Sequence, residues 1–566
     1  MKNFFICMLL TLLGSIMPFF STYADEKSQI LFESPGIDGH PYRIPAITTL
    51  KNGNILSVAD FRWCDSDIGN GHVDIVGRIS SDNGATWGEQ FNIAVGSGIK
   101  GAHDCGYGDA AIVTDRETGC VLIMCCTGNV FYPNSRRDNP LRSARLYSND
   151  NGVTWTQPED ITDDMYALLP NTKALFIGSG KICQSRVVKV GKYYRLYAAL
   201  CTLNKNNIFS SHSENYVIYS DDFGHSWHVL GSNTESCAPN GDEPKCEELP
   251  DGSVVLSSRK DKGRYFNIFK YSDVRTAQGS WTGVVSSNDV SGGLAFNTNS
   301  TNGEIQLLQV VRNNDQTQHY MMLQSVPYGA INSGDEARSN VCIFYKVFDE
   351  NTMNSADELA VGWTRGMIFE DPKGAYSTMC IQPDYKLGFL YETSPGEFSL
   401  VYRSIAIEEL TGEEYCMYNP DIHGDWILDH AEFEAAKKRA EEVLEEYADR
   451  HASKPALGQY SSSLYNNLQD LYVHATIKNY KKLDEAIALL KGSCNWPVFV
   501  INSLDPDKGI GKSLSDNGSN GLNISGTDNN NTWMQWVFEG LSSESMTPGT
   551  YTVTNVATGG LFWGAG

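Results

Sequence analysis

Between residues 27 and about 410, short apolar runs alternate with clusters of turn residues. NILSVAD, GCVLIMCC, YRLYAAL, SVVLSSR and FNIFKYS are each bounded by Gly, Asp or Asn. Runs of this length, rich in β-branched and aromatic residues, predict an all-β region of many short strands. A repeated stretch gives the region a period: SSDNGATW at 80–87, SNDNGVTW at 148–155 and SDDFGHSW at 220–227. Its aspartates, Asp82, Asp150 and Asp222, are 68 and 72 residues apart, and a decayed copy is YSDVRTAQGSW at 271–281. Recurrence at this spacing predicts a β-propeller, each unit one four-stranded blade. About 385 residues at about 65 per unit predict six blades.

The repeat itself reads as turn chemistry. Asp accepts backbone N–H bonds within the turn, Gly takes a positive φ, Ser caps the turn and Trp enters the apolar layer. The competing reading, calcium or sugar bound at Asp82, Asp150 and Asp222, needs convergent groups, and equivalent positions on different blades diverge.

The pattern changes after about residue 427. LDHAEFEAAKKRAEEVLEEYADRHA, LYNNLQDLYVHATI and YKKLDEAIALLKGS have helical apolar spacing, and 427–493 is expected to be a helical hairpin or three-helix segment. From 494 to 566 the chain is again β-rich and Asn/Gly-rich. A truncated carbohydrate-binding module is one reading of this region and would add a glycan contact. Trp533, Trp536 and Trp563 would then be sugar-facing, and core packing of the same rings is the other reading.

At the start, MKN precedes the apolar run FFICMLLTLLGSIMPFF and the small, polar STYADEK. This is the layout of a signal peptide, 1–24, predicting a secreted, periplasmic or cell-surface protein with no membrane span in the mature chain. The formal net charge of −24 disfavours nucleic acid as a partner and requires any anion site to be a local focus of arginine. Fourteen cysteines leave thirteen after cleavage, enough for disulfides with at least one thiol unpaired. Their spacing matches no metal site, so no metal and no cofactor are expected.

With YRIP at 42–45 preceding the repeats, the chain resembles the bacterial-type exo-α-sialidases, whose propellers carry such Asp-boxes. The resemblance covers roughly 27–410 and implies sialylated glycans as substrate. The chemistry can be reasoned independently. A sialic acid carries its carboxylate on the anomeric carbon, which calls for arginine forks. That carboxylate would repel a carboxylate nucleophile, so a tyrosine deprotonated by a glutamate serves better, sialidases being exceptions to the paired-carboxylate rule.

The resemblance implies the following roles. Arg43 in YRIP is the first clamp arginine. DEPKCEELPDGSVVLSSR, 242–259, supplies Glu243 as base and Arg259 as second clamp. EARSNVCIFYK, 336–346, supplies Arg338 as third clamp on its strand, with Arg365 as a rival. AYSTMCIQPDYKLGFLYE, 375–392, supplies Tyr376 as nucleophile. DSDIGN supplies Asp67 as acid/base, in competition with Asp65, and Arg62 and Asp109 contact other substrate groups. Taken singly, each is more ordinarily a surface charge, a turn residue or a rim aromatic; their joint order favours the site. Two alternatives to hydrolysis stay open: a trans-sialidase, including an intramolecular one, and a non-catalytic sialoglycan-binding lectin.

Overall fold

In the computed structural model, the described residues are 27–494 apart from breaks at 206–212, 289–291, 295–300, 315, 350–352, 354, 395–397, 427–429, 457, 474 and 476–479, together with strands at 498–500, 512–516, 522–526, 535–539 and 552–555. The expected signal peptide lies outside them, as do Trp533 and Trp563. The chain divides into two units, Met1–Asn419 and Pro420–Gly566.

The first unit is a six-bladed propeller. Six sheets of four to six strands follow one another along the chain, and the strand Ser28–Phe32 pairs with Ser399–Ile405 to complete the sixth blade. Closure of the last blade by the first strand buries an edge that would otherwise be exposed. The final strand of the unit, Tyr415–Met417, joins the fifth blade. Each apolar cluster is built from neighbouring sheets. One brings together Leu56, Ile75, Ile112 and Ile123 of the first two blades, another Leu122, Leu196, Ile218 and Trp227 of the second and third.

The repeats join the third and fourth strands of the first three blades. In the first, Thr86 N and Oγ1 donate to Asp82 at 2.8 and 2.6 Å, and Gly84 N donates to Ser80 Oγ at 2.9 Å. The same bonds recur around Asp150 and Asp222. Gly84 has φ +79°, and a Cβ there would lie 2.2 Å from Tyr402 Oη of the sixth blade. At Gly224 the obstacle would be Leu122 of the second blade, 2.4 Å away. Each turn therefore packs on the preceding blade, and its aspartate is consumed by its own turn. The decayed copy occupies the same place in the fourth blade, with Arg275 N donating to Asp273 at 2.9 Å.

All thirteen cysteines among the described residues are free. This corrects the expectation of disulfides. Most lie within strands and are sequestered in apolar layers, and burial pushes the Cys246 and Cys380 thiols up to about 12.

In the second unit the helices His430–Glu446, Ser462–Val473 and Lys481–Gly492 pack around a core that includes Ala440, Val443, Leu468 and Leu490. Tyr447 stacks on Tyr460 with ring centroids 4.0 Å apart. No helix among the described residues is long and apolar enough to cross a membrane.

Candidate active site

The strand Tyr42–Thr49 opens the first blade, and its register slips between Arg43 and Ala46. Like slips occur between Gly108 and Ala111 in the second blade and between Gly374 and Ser377 in the sixth. A bulge of this kind re-aims a side chain at a strand end. Here the three bulges contain or adjoin Arg43, Asp109 and Tyr376. Ile44 and Asp109 take positive φ, 54° and 56°, a strained conformation for a β-branched residue above all.

Glu392, fully buried on the strand Leu387–Thr393, accounts for this backbone. Its Oε1 accepts from Ile44 N at 2.9 Å and Arg43 Nε at 2.8 Å, while Oε2 accepts from Arg43 Nη2 at 3.2 Å and Tyr376 N at 3.1 Å. One carboxylate thus orients an arginine of the first blade and the backbone of a tyrosine of the sixth. The Glu392 role was missed at the sequence level; the signal was a glutamate inside the otherwise apolar run LGFLYE.

Tyr376 Oη donates to Glu243 Oε1 at 2.6 Å, and Arg259 Nη1 donates to Glu243 Oε2 at 2.8 Å. Glu243 and Arg259 face each other across the hairpin, Arg259 N donating to Glu243 O at 3.0 Å. The LPDG turn closes the opposite end, which leaves both side chains at one rim. Burial, reinforced by the charge of Glu243, pushes the Tyr376 hydroxyl well above its ordinary range, against the opposing charges of Arg259 and Arg338. Arg338 lies in the turn before the strand Val341–Phe348, not on the strand as the sequence suggested. Its peptide carbonyl accepts from Gly374 N, which holds this turn beside the Tyr376 strand. Its rival Arg365 is exposed and sits over the Tyr328 ring at 5.2 Å.

Asp65 and Asp67 separate cleanly. Asp65 Oδ1 lies 2.8 Å from His40 Nδ1, whereas Asp67 Oδ1 accepts from Arg62 Nη1 at 2.5 Å, with the Asp67 side chain 56% exposed. Arg62 is buried and also faces Asp60 at 3.3 Å and Asp109 at 3.9 Å. Asp60, a second residue absent from the sequence reading, accepts from Asp109 N at 2.9 Å. Burial pushes Asp109 up to about 6, opposed by Arg62 and aided by the charges of Asp67 and Glu243. Asp109 thus lies within electrostatic reach of Asp67, Glu243 and Arg43 as well as of Arg62.

The arrangement answers the charge puzzle. Four arginines, Arg43, Arg62, Arg259 and Arg338, converge in an acidic protein. Three are pre-oriented by carboxylates, while the Arg338 guanidinium has no ion pair with another described residue. Planar forks held this way match a bound carboxylate. The site can therefore bind an anion beside a neutral hydroxyl whose proton already points at a glutamate. Among the described residues no cluster of three or more His, Cys, Asp or Glu side chains is arranged to hold a metal ion.

The chain is 28% identical over 378 residues to a sialidase of Micromonospora viridifaciens, covering 64% of this chain and 51% of that protein. It is 29% identical over 234 residues to a sialidase of Paraclostridium sordellii, covering 40% of this chain and 54% of that one. By sequence, then, the chain is similar to sialidases. It spans about half the length of these two sialidases. The fold agrees: a sialidase structure described as Hadza microbial sialidase Hz136 superposes with a TM-score of 0.50 at 22% identity, over 65% of this chain and 66% of that one. No family model matches.

Proposed function

We propose that this chain is an exo-sialidase that removes terminal α-linked sialic acid from glycoproteins, glycolipids or oligosaccharides with retention of configuration. The observation that carries the reading is the 2.6 Å hydrogen bond from Tyr376 Oη to Glu243, with Arg259 on the other oxygen of the same carboxylate. A lectin needs the arginines but has no use for a tyrosine hydroxyl poised on a base.

Arg43, Arg259 and Arg338 seat the substrate carboxylate. Tyr376 Oη attacks the anomeric carbon as its proton passes to Glu243, and the bond to the leaving oxygen breaks as Asp67 protonates that oxygen. A tyrosine held neutral by burial suits an anionic substrate, since no charge repels the incoming carboxylate. Asp67, now a carboxylate, takes a proton from water. The water oxygen attacks the same carbon, the tyrosyl bond breaks, and Glu243 returns its proton to Tyr376. Two inversions give net retention. Arg62 and Asp109 line the same mouth and would meet other substrate hydroxyls.

Incubation with a fluorogenic sialoside followed by identification of the product tests the reading. Free sialic acid supports hydrolysis. A transferred or anhydro sugar redirects the reading to trans-sialidase chemistry, and binding with no product supports a lectin.

A further inference from the structure

Glu243 and Tyr376 belong to blades four and six, which share no ladder hydrogen bonds. A 2.6 Å contact between them needs something that sets the separation of their strands. The tie is found two residues further along each chain segment. Those residues are Lys245 and Thr378, and both meet the carboxylate of Glu304, which enters from the fifth blade. Glu304 Oε2 accepts from Lys245 Nζ at 3.2 Å and from Thr378 Oγ1 at 3.1 Å, while Oε1 accepts from Ile305 N at 3.1 Å. Lys245 also donates to the Ser179 carbonyl. Glu304 and Thr378 are fully buried and Lys245 is 2% exposed.

We propose that Glu304 is a positioning residue for the Tyr376–Glu243 pair, tying the strand of the base to the strand of the nucleophile through Lys245 and Thr378. The inference rests on Tyr376 and Glu243 being the reacting groups. A buried ion pair is a poor way to gain stability, because apolar residues of similar volume do as well or better. What it supplies here is a fixed distance between three blades. Burial lowers the Lys245 ammonium from its ordinary range, a penalty that its bonds to Glu304 offset only in part. A second tie runs parallel. Arg264, the cross-strand neighbour of Arg259, donates to the Thr301 carbonyl at 2.8 Å, and Thr301 Oγ1 donates to the carbonyl of Ala375, next to Tyr376, at 3.1 Å.

The test uses the full chain with Glu304→Gln, the double variant Glu304→Met with Lys245→Met, and the milder Thr378→Val. Turnover of an aryl sialoside, thermal midpoint and the crystallographic Tyr376–Glu243 separation are measured for each. Misplacement of reacting groups by about 1 Å lowers rates by about 100-fold. We expect kcat per folded molecule to fall about 10- to 100-fold in the Glu304 variants, and less in Thr378→Val. KM should stay within about twofold, because the arginine clamp is not touched. The double variant should regain the thermal midpoint but not kcat, with the Tyr376–Glu243 contact lengthened beyond hydrogen-bond reach. Wild-type kcat in a folded double variant, or an unchanged separation whatever its rate, overturns the proposal. If the wild-type chain does not turn over sialosides, the functional reading fails instead, and the crystallographic separation alone decides the role of Glu304.

Discussion

Glu392 of the sixth blade grips Arg43 of the first through two hydrogen bonds, 2.8 Å to Nε and 3.2 Å to Nη2, while the same carboxylate caps the backbone amides of Ile44 and Tyr376. Removing one partner of a buried pair costs about 3–5 kcal/mol, and Glu392→Gln keeps the shape but loses the charge. Its thermal midpoint should drop, and KM for a sialoside should rise about tenfold or more as Arg43 loses its orientation. Unchanged KM in a correctly folded variant would show that Arg43 needs no such support.

Tyr376→Phe and Glu243→Gln should each lower kcat by about 100-fold or more while leaving the unfolding midpoint within a few degrees. Asp67→Ala should do the same most severely for substrates with poor leaving groups. Asp65→Ala should leave turnover near normal, since its carboxylate faces His40 and not the mouth. Arg259→Glu should abolish measurable binding. Wild-type turnover in either Tyr376→Phe or Glu243→Gln would refute the assignment of the reacting pair.

Asp109 gives a pH signature. Its carboxyl is pushed up to about 6 by burial, with Asp67 and Glu243 adding to the shift. The folded chain therefore holds a proton there that the unfolded chain releases near 3.9. The associated stability is fully present below about pH 4 and is lost as pH rises through about 6. Asp109→Asn should consequently raise the thermal midpoint above pH 6 and change it little below pH 4. A scan of midpoint against pH for both proteins checks this; parallel curves would exclude Asp109 as the titrating group. Substrate binding should also tighten in the wild type as pH falls through about 6, because one negative charge beside the incoming anion is removed.

The repeated turn should behave as skeleton. Gly84→Ala places a Cβ 2.2 Å from Tyr402 Oη at φ +79° and should lower stability by about 2–4 kcal/mol. Asp82→Ala removes bonds to Thr86 N and Oγ1 and should lower the thermal midpoint less than Gly84→Ala does. Neither should alter kcat per folded molecule. A rate change in Asp82→Ala without a stability change would mean that the turn carries chemistry after all.

Legibility followed the range of the interactions. Ser80, Asp82, Gly84 and Thr86 close a turn on themselves, so eight residues contain the whole hydrogen-bond pattern and the motif announces it. The hairpin 242–259 is similarly local, and Glu243 and Arg259 were readable as one unit. Arg338 was placed on a strand when it lies in the turn before one, because nothing in EARSNVCIFYK marks where its ladder begins. The choices between Asp65 and Asp67, and between Arg338 and Arg365, turned on partners as distant as His40 and Tyr328, which no local pattern specifies.

By itself the sequence determined the β texture, the repeating turn and hence the blade count, and the residue types that an anionic sugar demands. Tertiary structure alone decided that Glu392 meets Arg43, that Asp60 meets Arg62, that Glu304 bridges Lys245 and Thr378, and that Tyr376 and Glu243 meet at 2.6 Å. The physical reason is ring closure. Strand propensity and turn hydrogen bonds act over a few residues, whereas groups as far apart as Arg43 and Glu392 become neighbours only when the first strand and the sixth blade join.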